Sequence, residues 1–275
     1  MSTEDEDYGM DGMYMIKSRS LFFLLKVARG LCGVRDYMVH VMPVPKEHSV
    51  DLPTILSTSC LLVSITHRPY KKYGYIKYLK HQKSCSLMDT LSRGAGTQEM
   101  VLSVLSFCKE VFGVEVFSLF DAAVFTCNHN HSRVNLMYHN LLVHGKTWYE
   151  RKFDATPRTD GHKLQLTKDT LSRVVDQDRA EDINMAIDRS SNVSRSLKEA
   201  FKVEIQSAIG NETWNQVFHR ISYMENGCVF FAEDILSKIV SLLAIPNITS
   251  WQITISNQIV VSNLVAYEHI FEGGR

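Results

Sequence analysis

Arg93-Gly94-Ala95-Gly96-Thr97 stands between a stretch patterned like a strand and a stretch patterned like a helix, and the reading of the fold turns on it. On its N-terminal side, Ser84-Cys85-Ser86-Leu87-Met88-Asp89-Thr90-Leu91 places Cys85, Leu87 and Leu91 at odd spacing with Ser and Asp between them, as in a half-buried strand. On its C-terminal side, Val101, Val104, Leu105, Cys108 and Phe112 recur at helical spacing. Glu99 lies in the first turn, Lys109 in the last, and Gly113 supplies a stop. The pattern predicts strand, glycine turn, helix. Such a turn leaves the first N–H groups of the helix without intrahelical partners, at its positive end, where a phosphate is favoured.

Immediately downstream, Val114-Glu115-Val116-Phe117-Ser118-Leu119-Phe120-Asp121 reads as a second strand, which makes a β-turn-α-β unit. Val134, Met137, Tyr138, Leu141 and Leu142 then predict another helix, ending at Gly145, with Trp148-Tyr149-Glu150-Arg151-Lys152-Phe153 on a short turn beyond it. Upstream, Leu21 to Arg29 reads as helical, Asp36 to Met42 as a strand cut off by Pro43 and Pro45, and Cys60 to Thr66 as another strand. From Arg68 to Lys83, Arg68, Lys71, Lys72, Lys77, Lys80 and Lys83 interleave with Tyr70, Tyr73, Tyr75 and Tyr78. A basic segment with aromatic rings can track a nucleic-acid backbone. A hairpin with one solvated face is the simpler account and is preferred, so nucleic acid is not expected as a partner.

The composition shifts near Pro157-Arg158-Thr159-Asp160-Gly161, and beyond it the pattern turns helical. Ser196-x-x-Glu199 has the form of a capping box ahead of a stripe of Leu197, Phe201, Ile205 and Ala208. Trp214, Val217, Phe218 and Ile221 form a second stripe, and Ile235, Leu236, Ile239, Val240 and Leu243 a third. Trp251, Ile253 and Ile255 alternate before Ser256-Asn257-Gln258 and Ile259 to Val265, which predicts a closing hairpin. The expected class is α+β: a mixed central sheet flanked by helices over residues 17–158, then a mainly helical C-terminal domain over 159–275 ending in a β-hairpin. Residues 1–16, with Glu4, Asp5, Glu6, Asp7 and Asp11 ahead of the first basic residue, Lys17, read as a disordered acidic tail. The C-terminal domain is expected to cover a cleft, self-associate or dock a protein partner, since a hairpin edge favours association.

Composition narrows the classes of function. With Lys plus Arg at 30 and Asp plus Glu at 30, no global field draws the chain to nucleic acid or to a membrane surface. The longest apolar run, Leu21-Phe22-Phe23-Leu24-Leu25, falls well short of the ~20 residues needed to cross a bilayer, so no membrane insertion is expected. Cysteines at 32, 60, 85, 108, 127 and 228 form no Cys-x-x-Cys pair and read as buried thiols of a reducing compartment, which points to the cytoplasm. On that reading the sequons at Asn130, Asn192, Asn211 and Asn247 carry little weight. Cys127-x-His129-x-His131 has chelating spacing, but it lies in an Asn- and Ser-rich loop with no second Cys pair, so no metal is expected.

The order strand, glycine turn, helix, strand, helix and aromatic turn resembles the GNAT superfamily of acetyl-CoA-dependent N-acyltransferases. Their central motif is Arg/Gln-x-x-Gly-x-Gly/Ala between a strand and a helix, and their second element ends near Leu-Tyr-x-x-x-Gly-Phe. Arg93-Gly94-Ala95-Gly96-Thr97 is a compressed version of the first, and Trp148-Tyr149-Glu150-Arg151-Lys152-Phe153 is similar to the second, without its glycine and one residue short. The chain is also similar to divergent acyltransferase-like proteins of large DNA viruses, in which Gly-Lys-Thr-Trp-Tyr-Glu follows this helix. The resemblance covers roughly residues 60 to 155.

The resemblance implies a GNAT-like fold and acetyl-CoA as cosubstrate, its diphosphate held around Leu91, Arg93, Gly94, Ala95, Gly96 and Thr97. A carboxylate, Asp89 or Asp121, would take the proton of an attacking amine, and Tyr149 would protonate the departing thiolate. The acceptor would be an amine, on a protein or a small molecule, and the setting the host cytoplasm or a virion. The competing expectation is a noncatalytic structural or virion assembly protein that keeps an acyltransferase-derived fold.

Overall fold

Alternating apolar side chains build the first half of the chain into a sheet. A computed structural model of the chain describes residues 11–19, 21–29, 36–44, 59–68, 71–79, 95–121, 123–129 and 131–270. The strand expected over Ser84 to Leu91, with Asp89, Leu91, Arg93 and Gly94, lies outside the described residues, as does the acidic stretch up to Met10. The chain divides into two compact units, one formed by Met1–Phe120 with Gln252–Arg275 and the other by Asp121–Trp251. The composition shift at Pro157 to Gly161 falls inside the second.

In the first unit, β1 (Gly12–Lys17), β2 (Phe22–Arg29), β3 (Asp36–Val44), β4 (Leu61–Arg68) and β5 (Lys71–Leu79) pair antiparallel in succession. Strand β1 occupies residues expected in the acidic tail, because Met13 and Tyr14 with Ile16 are buried on its two faces. The helix expected over Leu21 to Arg29 is strand β2, hydrogen-bonded on both sides. A central strand is buried on both faces and so carries a continuous apolar run, which periodicity alone does not separate from a helix. Strand β3 continues through Pro43 to Val44.

Helix α1 (Ala95–Phe112) follows, then β6 (Val116–Phe120), parallel to β5 in the register Gly74↔Phe117, Tyr75↔Ser118, Ile76↔Leu119. Strand β5, α1 and β6 thus make a parallel crossover, whereas the strand expected over Ser84 to Leu91 as the first member of such a unit lies outside the described residues. Met100, Val101, Val104, Leu105, Phe107, Cys108 and Phe112 of α1 are buried. Phe107 meets the Tyr14 ring at 5.0 Å between centroids, and Phe112 meets Tyr37 at 5.1 Å. On the opposite face of the sheet, Met13, Leu24, Met42 and Val44 cluster with Met15 and Phe22. Each such buried side chain contributes about 1.5–3 kcal/mol. Gly113, at φ +66°, ends α1 as expected and donates its N–H to Lys109 O at 2.8 Å.

The second unit holds β7 (Val124–Thr126), β8 (Arg133–Asn135), α2 (Leu136–His144), α3 (Trp148–Phe153), β9 (Thr156–Pro157), α4 (Gly161–Leu171), α5 (Gln177–Arg189), α6 (Arg195–Ala208), α7 (Trp214–Ser222), a 3-10 turn (Gly227–Phe231) and α8 (Glu233–Leu242). Strands β7 and β8 form a hairpin. Val134, expected to open a helix, lies in β8, because Asn135 caps α2 by accepting from Tyr138 N. The three expected stripes are buried at Phe201, Ile205 and Ala208, at Trp214, Val217, Phe218 and Ile221, and at Ile235, Leu236, Ile239 and Leu243. The cap of α6 is Ser194, two residues before the expected Ser196.

The chain then returns to the first unit through β10 (Ser250–Thr254), α9 (Asn257–Asn263) and β11 (Ala266–Ile270). The first unit's sheet runs β11-β1-β2-β3-β4-β5-β6-β10. The protein is thus α+β, with a large mixed sheet flanked by helices. The closing hairpin is not formed. Ile259 to Asn263 is helical because Ser256 caps it, accepting from Ile259 N at 3.3 Å, and because Ser103 of α1 donates to Asn263 O at 2.9 Å. Strand β11 pairs instead with β1.

Candidate active site

Asp121 follows the last residue of β6, and Tyr149 lies in the first turn of α3. Helix α3 is short and is fixed by its cap: Thr147 accepts from Glu150 N at 3.3 Å while Glu150 Oε2 accepts from Thr147 N at 2.8 Å. Lys168 of α4 forms an ion pair with Glu150, and Arg151 donates to Asn140 Oδ1 of α2 at 2.8 Å. These contacts hold Tyr149 inward, 7% exposed, with its ring 5.2 Å from Trp148 and 5.5 Å from Trp251. The Nε1 of Trp251 is buried without a hydrogen-bond partner.

Tyr149 O–H donates to Asp121 Oδ1 at 2.9 Å, and the same oxygen accepts from Ala123 N at 3.0 Å. Two residues nominated from segments 28 apart in sequence therefore meet. Burial pushes the Asp121 carboxyl above its usual range, while the Ala123 and Tyr149 hydrogen bonds pull the other way. Burial first, then the charge of Asp121 and the bond to it, push the Tyr149 phenol well up. A phenol whose proton is given to a carboxylate orients that carboxylate and is not poised to protonate a thiolate, whereas a desolvated carboxylate with raised proton affinity is suited to accept a proton.

Of the expected phosphate-binding residues, Ala95, Gly96 and Thr97 form the first turn of α1, with Gly96 buried. They belong to the first unit, and Asp121 and Tyr149 to the second. The capping box around Tyr149 was readable as Thr147-x-x-Glu150. The tilted contact of Trp251 with Tyr149, across about a hundred residues of chain, carries no local signal.

Three further features lie in the second unit. Cys127 and Cys228 form a disulfide between residues separated by 101 positions, with Cα atoms 5.7 Å apart. Cys60, in the first unit, is disulfide-bonded as well, and Cys108 is a buried free thiol. The expectation of reduced thiols is thereby corrected: pairing of distant cysteines needs no short motif, only folding that brings them together. Cys127 is thus no thiolate partner for His129 and His131, and among the described residues no group of three His, Cys, Asp or Glu is placed to hold a metal. His139 of α2 is wedged edge-on between Phe125 and Phe231, with centroids 5.1 and 4.8 Å away, and its Nδ1 is buried without a partner. Burial, then His144 and Arg151, push it down to about 4 from the ordinary 6.5. A cleft of about 330 Å³, lined by Val143, His144, Asn215, Gln216 and His219, includes neither Asp121 nor Tyr149.

No protein-family model matches the chain, and no curated protein or solved structure matches it. Among the described residues no helix is long and apolar enough to cross a membrane.

Proposed function

We propose that the chain is a GNAT-like acyltransferase that moves an acetyl group from acetyl-CoA to an amine. The observation that carries the reading is the 2.9 Å hydrogen bond from Tyr149 to Asp121, which joins two of the three residues that the resemblance nominates for proton transfer. Asp121 is the base: its carboxylate accepts the proton of the ammonium, the freed amine nitrogen bonds to the thioester carbonyl carbon, the carbon–sulfur bond breaks, and the second proton shed by the nitrogen passes to the departing thiolate to give the thiol and the amide. Tyr149 and Ala123 N–H aim Asp121 and keep it anionic enough to act. The first turn of α1 at Ala95, Gly96 and Thr97 suits the diphosphate, because its N–H groups have no intrahelical partners and Gly96 presents no side chain. Arg93, Gly94 and Leu91 complete that set on the resemblance alone.

Thermal unfolding with and without millimolar acetyl-CoA tests the reading, since a ligand bound only by the folded state raises the melting temperature. A rise is expected, with transfer of labelled acetyl to amine acceptors. Asp121→Asn should abolish transfer while leaving the thermal shift, and Gly96→Glu should abolish the shift by placing a carboxylate where phosphate belongs. An unchanged melting curve with no transfer refutes the enzyme.

One observation favours the second reading, a noncatalytic structural or virion protein built on the same fold. Asp121 and Tyr149 satisfy each other's hydrogen bonds in a closed aromatic setting, as a purely structural pair does. On that reading, self-association or a protein partner supplies the function. The Cys127–Cys228 bridge favours a virion or another oxidising setting over the reducing cytosol for either reading.

A further inference from the structure

We propose that the second unit matures in an oxidising, glycosylating compartment and carries N-linked glycans on Asn192, Asn211 and Asn247. Neither the bridge nor the glycans depend on acyl transfer. The second unit carries the disulfide between Cys127 and Cys228, and Cys60 of the first unit is disulfide-bonded as well. Forming each removes two electrons and two protons from a pair of thiols, which pass to the disulfide of an oxidoreductase, and such bridges accumulate where the thiol pool is oxidised. In such a compartment Asn-x-Ser/Thr acquires a chemical meaning that it lacks in the cytosol.

Four of the chain's asparagines open sequons: Asn130-His131-Ser132, Asn192-Val193-Ser194, Asn211-Glu212-Thr213 and Asn247-Ile248-Thr249. Asn130 lies outside the described residues. The other three are exposed, and each sits in a different connection: between α5 and α6, between α6 and α7, and between α8 and β10. A bulky, solvated glycan needs this placement. Asn211 Nδ2 donates only to Ile209 O, at 3.3 Å, and Asn247 is engaged through its Oδ1, which accepts from Tyr138 O–H at 3.4 Å. The nitrogens to be modified are thus weakly held or open to solvent.

Helix capping explains part of the pattern. Ser194 and Thr213 are the N-caps of α6 and α7, accepting from Leu197 N and Gln216 N. Capping accounts for neither the asparagine two residues before each of them nor Asn247 and Thr249, which cap no described helix. In the modification the amide Nδ2 bonds to the anomeric carbon of an oligosaccharide carried on a lipid diphosphate. The bond from that carbon to the diphosphate oxygen breaks, the lipid diphosphate leaves, and Nδ2 loses one proton to a base.

The test uses the full chain isolated from the cells or particles that naturally make it. Free thiols are alkylated before reduction, and a glycosidase that hydrolyses the glycan–asparagine bond is applied in ¹⁸O water, leaving ¹⁸O-labelled aspartate at each modified site. The proposal expects Cys127 and Cys228 to escape the first alkylation and label to appear at Asn192, Asn211 and Asn247. Each of Asn192→Gln, Asn211→Gln and Asn247→Gln, expressed in the same cells, should remove one step of gel mobility and leave the others. An intact Cys127–Cys228 bridge with all three asparagines unlabelled overturns the proposal. So does recovery of both cysteines as free thiols.

Discussion

Acid should loosen the second unit through one imidazole. His139 lies between the Phe125 and Phe231 edges with its Nδ1 buried and unpartnered, and its proton affinity is pushed down to about 4 from 6.5. Above pH 6.5 the ring is neutral folded or unfolded and has no effect on the equilibrium. As the pH falls below that value the unfolded chain takes up a proton that the native site refuses, so native stability is lost progressively until the site itself titrates near 4. At 1.36 kcal/mol per pH unit, the loss amounts to about 2 kcal/mol by about pH 5 and about 3 kcal/mol at full extent. Asp121 acts in the opposite sense, because its raised carboxyl binds a proton earlier in the folded state and gains stability on acidification. Urea unfolding of the wild type and His139→Phe at several pH values, followed by tryptophan fluorescence, separates the two. Trp148, Trp214 and Trp251 all lie in the second unit and report on it. The phenylalanine variant should gain on the wild type as the pH falls, its midpoint moving by about 1 M urea relative to wild type by about pH 5. Two stability curves that stay parallel from neutral pH to about pH 5 would refute the assignment of the buried neutral imidazole.

Tyr149→Phe leaves Asp121 with Ala123 N–H alone at its buried oxygen and should cost about 1–3 kcal/mol at neutral pH, a loss that shrinks in acid once Asp121 is protonated, read from the same urea series. Replacing Cys127 and Cys228 together by serine opens a loop of 101 residues and should lower the stability of the second unit by about 4–5 kcal/mol on the chain-entropy account, with calorimetry showing that transition displaced to lower temperature. Gly74→Ala would set a Cβ 2.1 Å from Phe117 Cδ1, so it should destabilise the first unit by about 1–3 kcal/mol in chemical denaturation, and Phe117→Leu in the same chain should recover part of that loss.

What could be read in advance was what repeats locally. Helix α1 and its stop at Gly113, the β6 strand and the stripes of α6, α7 and α8 all announce themselves by period and punctuation. The Asp121 and Tyr149 candidates came from the resemblance, and the fold brings them together. Strand β2 was hidden because a run buried on both faces loses its alternation. Helix α9 was hidden because its β-branched residues, Ile259, Val260 and Val261, favour a strand, whereas Ser256 caps the helix and Ser103 of α1 donates to its last residue. The Cys127–Cys228 pairing and the Trp251 ring beside Tyr149 are long-range facts with no local trace.

The first unit is interrupted, since most of β10 and all of α9 and β11 arrive only after residues 121–251. On the ribosome, β1 emerges before the intervening unit and its partner β11 after it, so the pairing of β1 with β11 waits throughout synthesis of that unit. The contiguous second unit is free to fold while the sheet waits for its final strand. A nascent chain stalled before Ala266 would carry an open strand edge, a template for aggregation that the finished protein has closed.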